Sequence, residues 1–216
     1  MRRGQNIILA TLMAILVSGS IAYSAPSPEP STGLQDRTRA EAEHAGNKLM
    51  GEARKKFKRG EFWKCAMDLI VILDFYSEFS RIDETLYLLG RCLYEMGMYD
   101  GSNQLFRYLL RNYPRTPLVP KVMLGMQKAY YQEREYHLSL KFYNALESHY
   151  SDFDGIDESR YYAVQSHYHL KNYNLVSNII EQIKKGSEFY AFALYTSGLA
   201  DLKKKISGRP SSVLSS

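Results

Sequence analysis

The chain has 216 residues, of which 45% are hydrophobic and 24% charged, with a formal net charge of +5 and two cysteines. This composition fits one ordinary globular domain and excludes a small fold held together by several disulfide bonds. Because Lys and Arg are not concentrated in a basic patch, the mild positive charge argues against nucleic acid as a partner.

The N-terminus, residues 1–24, has the organisation of a secretory signal peptide. Two arginines precede an uncharged apolar run over residues 7–17, and small residues follow it. We predict cleavage after Ser24, with Ala22 as the second choice. The alternative is an uncleaved anchor, although a membrane span needs about 20 apolar residues. No later apolar run is long enough, so the mature chain is predicted not to insert stably into a membrane.

Three further segments follow the signal. Residues 25–40 begin with a region rich in Pro and Ser and are predicted to be a flexible linker. Residues 41–206 are predicted to form one repeat domain, and the polar tail at 207–216 is predicted to be disordered.

The repeat domain has a period of 37 residues. Gly60, Gly97, Arg134 and Lys171 are each 37 residues apart. An aromatic residue stands two positions after each, another stands three positions before each, and a smaller side chain follows the first aromatic by three. These columns are Phe62, Tyr99, Tyr136, Tyr173; Phe57, Tyr94, Tyr131, Tyr168; and Cys65, Ser102, Ser139, Val176. Several columns in one register over four units indicate internal repeats.

Each unit is predicted to contain two amphipathic helices, because its apolar residues recur at spacings of three and four. The first helices are predicted near 41–59, 83–96, 118–133 and 157–170, and the second helices near 62–78, 99–112, 136–150 and 173–185. No segment alternates as a strand would, so the chain is predicted to be all-α.

A fifth first helix around Leu194–Leu202 follows the four units. It either caps the array or marks the chain as a truncated relative of a longer protein.

Small side chains are predicted where the two helices of a unit cross closely. Ala53 and Gly90 on first helices should lie opposite Cys65 and Ser102 on second helices. Cys65 and Cys92 then have two interpretations, either as small buried core residues or as a disulfide between successive repeats.

The second unit carries the motif Leu89-Gly90-x-x-Leu93-x-x-x-Gly97-x-Tyr99-x-x-Ser102-x-x-x-Phe106-x-x-x-Leu110-x-x-x-Pro114. This motif resembles a tetratricopeptide repeat, and the resemblance covers residues 41 to 204. A 37-residue unit ending in Tyr-Pro is similar to bacterial envelope members such as the Tol-associated cell-division coordinator and the repeat lipoprotein of the outer-membrane barrel assembly machine. The resemblance implies a periplasmic protein folded as a right-handed superhelix of stacked antiparallel helix pairs, with four repeats and a terminal helix.

The resemblance also implies that the first helices line a concave groove that holds a partner peptide. Carried over by position, the groove residues are Met50, Arg54, Phe57, Tyr87, Arg91, Tyr94, Leu124, Lys128, Tyr131, Tyr161, Gln165 and Tyr168. Bases at positions 54, 91 and 128 each stand one turn before an aromatic, and this ladder is predicted to bind an acidic or extended peptide. The alternative is that the aromatic column packs in the core and the bases form an ordinary solvated face.

No motif in the chain indicates catalysis, a metal or a cofactor. His167 and His169 are two residues apart on a predicted helix and point in different directions. Two functional hypotheses follow. The first is a non-enzymatic periplasmic adaptor that binds a protein or peptide partner in its groove, in envelope assembly or division. The second is a structural accessory of a larger hetero-oligomeric complex that docks through its C-terminal helix.

Overall fold

The computed structural model describes residues 33–207, with side chains from 39 to 206. Within these residues the chain forms nine α-helices and no β-strand, which confirms the all-α prediction. None of these helices combines the length and the apolar character needed to cross a bilayer. The predicted signal peptide, and the predicted tail beyond its first residue, lie outside the described residues.

The helices follow the predicted order of pairs. They are α1 (Gly33–Lys58), α2 (Phe62–Phe75), α3 (Ile82–Glu95), α4 (Tyr99–Asn112), α5 (Val119–Gln132), α6 (Tyr136–His149), α7 (Ile156–His169), α8 (Tyr173–Ile180) and α9 (Glu188–Ser207). Each helix packs against the next along the chain, and α3, α5, α7 and α9 also contact one another in sequence. The short connections make neighbouring helices antiparallel. The first helices therefore form one continuous side of the array.

The residues that mark the period share one backbone conformation. Gly60 and Gly97 have a φ of +75°, and Arg134 and Lys171 have φ values of +63° and +62°. Each of the four residues ends a first helix with a left-handed turn. In the second repeat, the amide of Gly97 donates a 2.9 Å hydrogen bond to the Tyr94 carbonyl. Glycine adopts this conformation without a steric penalty, whereas a residue with a Cβ does so at a cost.

Three boundaries differ from the predictions. Helix α1 begins at Gly33 rather than near residue 41, so the second half of the predicted linker is helical. The segment after Gly33 contains no proline and many good helix formers, and these outweigh its weak apolar periodicity. Helix α2 ends at Phe75 and α8 at Ile180, both earlier than predicted. After α8 the chain continues in tight turns that keep Ile183 buried. A buried residue three positions after Ile180 is compatible with a helix and with these turns, so the apolar spacing did not reveal where α8 ends.

Gly90 and Ser102 lie opposite each other where α3 and α4 cross, as predicted. The Ser102 hydroxyl on α4 donates to the Gly90 carbonyl on α3 over 2.8 Å. The ring of Phe106 is fully buried beside it. A Cβ added at Gly90 would lie 2.8 Å from Phe106 Cδ1, and one added at Gly125 on α5 would lie 2.7 Å from Cε2. Phe106 is thus held between two glycines on successive first helices.

The column of small side chains also joins each repeat to the next. Cys65 on α2 and Cys92 on α3 are fully buried free thiols with their sulfurs 3.1 Å apart. The equivalent contact two repeats later joins Ser139 and Ser166, whose hydroxyl oxygens are 3.3 Å apart. The hydrogen bond from Cys92 lowers the pKa of Cys65 below the ordinary thiol value. Both cysteines are therefore core residues with free thiols, and their sulfurs are close enough to be joined by oxidation.

Candidate partner-binding groove

Two adjoining cavities lie along the side formed by the first helices. The larger, 680 Å³, lies mainly between α1 and α3, and the smaller, 330 Å³, lies between α3, α5 and the start of α7. We call the residues that line them the groove. Four residues line both cavities, which makes the groove continuous: Tyr87, Arg91, Glu95 and Lys121.

The groove contains the predicted site residues of the first three repeats, apart from Tyr131. They reach it from three different helices, because positions 37 residues apart occupy equivalent places on successive first helices. These residues are Met50, Arg54, Phe57, Tyr87, Arg91, Tyr94, Leu124 and Lys128.

Tyr131 and the residues of the fourth repeat lie outside the two cavities. Tyr131 packs edge-on against Tyr162, with ring centroids 5.2 Å apart, and burial raises the pKa of its hydroxyl to about 12. Tyr168 instead lines a separate cavity of 770 Å³, formed with residues of α8 and α9. These two tyrosines are therefore not brought together with the bases of the groove.

Helix α9 occupies the space in front of the fourth first helix. Tyr161 packs against Phe189, with ring centroids 5.8 Å apart. Gln165 donates a 2.7 Å hydrogen bond to the Thr196 hydroxyl. Both predicted site residues thus contact the last helix of the array and do not line the groove.

The aromatic column that ends each first helix has a packing role in every repeat. Its rings contact the aromatic that opens the next helix, with centroids 5.2 to 5.8 Å apart. The pairs are Phe57–Phe62, Tyr94–Tyr99, Tyr131–Tyr136 and Tyr168–Tyr173. Packing explains why an aromatic recurs here, and only Phe57 and Tyr94 also line the groove.

The three predicted bases differ in their partners. Arg54 forms an ion pair with Glu84 on α3, and Lys128 forms one with Glu158 on α7 over 2.5 Å. Arg91 forms no ion pair with residues 39–206, and its guanidinium lies 4.4 Å from the centroid of the Phe57 ring. Two of the three bases are therefore already neutralised, and Arg91 is the one whose charge remains available.

Sequence reasoning missed two cations and two acids that face the groove. Lys58 and Lys121 are exposed, line the larger cavity, and form no ion pair within the part of the chain with described side chains. Glu84 and Glu158 stand 30 residues after the bases they pair with. The signal was present in the repeat register, because positions 84, 121 and 158 form a column with the period of 37.

Burial at the floor of the groove affects its tyrosines. Tyr87 packs against the buried Phe106 ring, with centroids 6.1 Å apart. This burial raises the pKa of the Tyr87 hydroxyl, although the nearby Arg91 opposes the shift. Tyr87 thus stays neutral and acts as an apolar surface with a hydrogen-bonding tip.

Comparison with protein-family models and with curated protein sequences found no match for this chain. The internal repeat and the geometry of the groove are therefore the basis for its functional interpretation.

Proposed function

We propose that this protein is an exported tetratricopeptide-type solenoid that binds a protein or peptide partner in its groove and catalyses no reaction. In this proposal the helix pairs form a right-handed superhelix of four repeats plus a terminal helix, and the predicted signal at residues 1–24 directs the chain to the periplasm. The observation that carries the proposal is the groove itself, to which the first helices of three successive repeats contribute charged groups and the first two contribute aromatic rings.

The composition of the groove supports binding of an extended segment of a partner. Phe57, Tyr87 and Leu88 supply apolar surface, while Lys58 and Arg91 stand at the exposed positions. Aromatic residues and arginine are enriched among the side chains that dominate the free energy of protein–protein binding. A groove that spans several repeats is long enough to hold several side chains of a peptide at once.

A second candidate function rests on the exposed apolar side chains of α9. Five large apolar side chains are between 52% and 69% exposed there: Phe192, Leu194, Tyr195, Leu202 and Ile206. Large apolar side chains exposed in this number on one helix are typical of a protein interface. In this alternative the chain is a structural accessory that joins a larger hetero-oligomeric complex through α9, and the groove is unused.

Site-specific photo-crosslinking separates the two candidates. A photoreactive phenylalanine would replace one exposed residue at a time in cells that export the protein: Lys58 in the groove, Tyr195 on α9, or Lys141 on α6 as a control outside both surfaces. Crosslinked partners would be identified by mass spectrometry. Peptides from each partner would then be tested for binding to the purified chain.

We expect one partner to crosslink from position 58 and to contribute a peptide that the purified chain binds. Crosslinking from position 195 alone would favour the second candidate. Equal crosslinking from all three positions, including 141, would contradict both, because it would indicate contacts without a defined surface.

A further inference from the structure

The ion pairs between successive first helices follow the repeat register but are interrupted at the middle junction. Arg54 pairs with Glu84, and Lys128 pairs with Glu158, in each case across 30 residues. The equivalent partner of Arg91 is position 121, which is lysine. Two cations therefore occupy the place where both flanking junctions have a cation and a carboxylate.

Lys121 also departs from the preference of helices for acidic residues in their first turn. Acidic residues occupy the first turn of α3, where Glu84 stands, and of α7, where Glu158 stands. They suit the partial positive charge of a helix N-terminus. The first turn of α5 has no acidic residue and carries Lys121. Lys121, Arg91 and the start of α5 thus place three sources of positive charge in one part of the groove.

Nearby residues define what this charge can bind. Arg91 lies over the Phe57 ring, which supports the guanidinium from one side and leaves its N–H groups free to donate. Phe57, Tyr87 and Leu118 supply apolar surface in the same cavity. Glu95 also lines it but forms no ion pair with Arg91 or Lys121. Asp154 lines the smaller cavity and likewise forms no ion pair with either cation. Across both cavities, the charged side chains that lack a partner within residues 39–206 are three cations, Lys58, Arg91 and Lys121, and two acids, Glu95 and Asp154.

We propose that Arg91 and Lys121 form a carboxylate-binding site, which takes an Asp or Glu side chain of an acidic partner segment. This inference rests on the proposed function, and it specifies the chemistry of the segment. The partner's carboxylate replaces the missing glutamate of the middle junction and accepts hydrogen bonds from both cations. An apolar side chain beside that carboxylate packs on Phe57 and Tyr87.

The repeat itself supplies a substitution that tests this site. Lys121→Glu places at position 121 the residue type already found at 84 and 158, so it should form an ion pair with Arg91 and fill the site from within the chain. Lys121→Gln removes the cation without adding an acid. Lys141→Glu makes the same charge change on α6, outside both cavities. Circular dichroism and thermal unfolding would verify that all three variants fold.

The probe is a phage-displayed library of random peptides, selected on the wild-type chain. We expect enrichment of peptides with an Asp or Glu beside an apolar residue. Lys121→Glu should then weaken binding of a selected peptide by about tenfold or more, Lys121→Gln should weaken it less, and Lys141→Glu should leave it within about twofold.

Three results would overturn the inference. If peptides are selected without an acid requirement and Lys121→Glu binds them normally, the carboxylate site is wrong while the groove remains a binding site. If Lys141→Glu weakens binding as much as Lys121→Glu, the effect is one of net charge and not of a site. If the wild-type chain selects no peptide, the proposed function itself fails together with this inference.

Discussion

Replacing Gly90 with alanine should cost stability that the same change at Gly51 does not. Both glycines lie inside helices, so both gain about 0.5–1 kcal/mol of helix propensity when changed to alanine. A Cβ at Gly51 meets no atom within 4 Å, whereas at Gly90 it meets three atoms of the Phe106 ring at 3.0 Å or closer. The difference between the two variants therefore isolates the steric cost.

The magnitude of that cost follows from how firmly the ring is held. Added methyl groups in a packed core cost about 1–3 kcal/mol. A shift of Phe106 away from Gly90 brings its opposite edge towards Gly125, which that edge already approaches so closely that an added Cβ there would lie 2.7 Å from Cε2. We therefore expect the free energy of unfolding of Gly90→Ala to be about 1–3 kcal/mol below that of Gly51→Ala.

Urea unfolding followed by circular dichroism measures both variants under the same conditions. A double-mutant cycle with Phe106→Leu provides the control, since the smaller side chain should remove most of the penalty at Gly90. Equal stability of Gly90→Ala and Gly51→Ala would refute the packing of α3, α4 and α5 around this ring, and with it the register of the second repeat.

Further predictions concern the turns, the thiols and the half-buried His167. Arg134→Gly and Lys171→Gly should each raise the free energy of unfolding by about 0.5–1 kcal/mol, because both positions have positive φ; urea unfolding that shows no gain would contradict this. Oxidised glutathione should convert Cys65 and Cys92 to a disulfide while it is itself reduced to two glutathione molecules, and the bond should add about 3–4 kcal/mol of stability. If the treated protein still has two titratable thiols when it is unfolded, this prediction is wrong. Cys92→Ser, which cannot form the bond, is the control and should gain no stability from the treatment. Burial lowers the pKa of His167 below 6.5. As the pH drops below 6.5, the histidine is therefore protonated more readily in the unfolded chain than in the folded chain, and the free energy of unfolding decreases. Unfolding midpoints measured across this range should depend less on pH in His167→Leu, and an unchanged slope would contradict the assignment.

The helices could be predicted from the sequence because their ends carry local signals. Gly60 and Gly97 mark left-handed turns, and the aromatic columns keep the register even where Arg134 and Lys171 replace glycine. The start of α1 could not be predicted in this way, because residues 33–40 form a helix with little apolar periodicity.

The site could be predicted only in part, because position in a repeat does not specify what a neighbouring repeat contributes. The resemblance predicted Arg54 and Lys128 as groove residues, and both line the cavities, yet their charges are neutralised by acids on the next first helix. Tyr161 and Gln165 were assigned to the groove by equivalence, but α9 covers them through Phe189 and Thr196. Such contacts depend on how the terminal helix packs, and a pattern of residues repeated in every unit cannot predict a contact made at only one end.

The turn residues also make the two ends of the array unequal in local stability. In a linear stack, each repeat is stabilised only by itself and its neighbours, so local differences are not averaged over the whole chain. The first two turns have glycine, whereas the last two hold Arg134 and Lys171 in a conformation unfavourable for them, and α8 has only 8 residues. Amide protons in α7 and α8 should therefore exchange sooner than those in α3 and α4. We therefore expect unfolding to begin at the C-terminal end, whereas most residues of the groove lie on α1, α3 and α5.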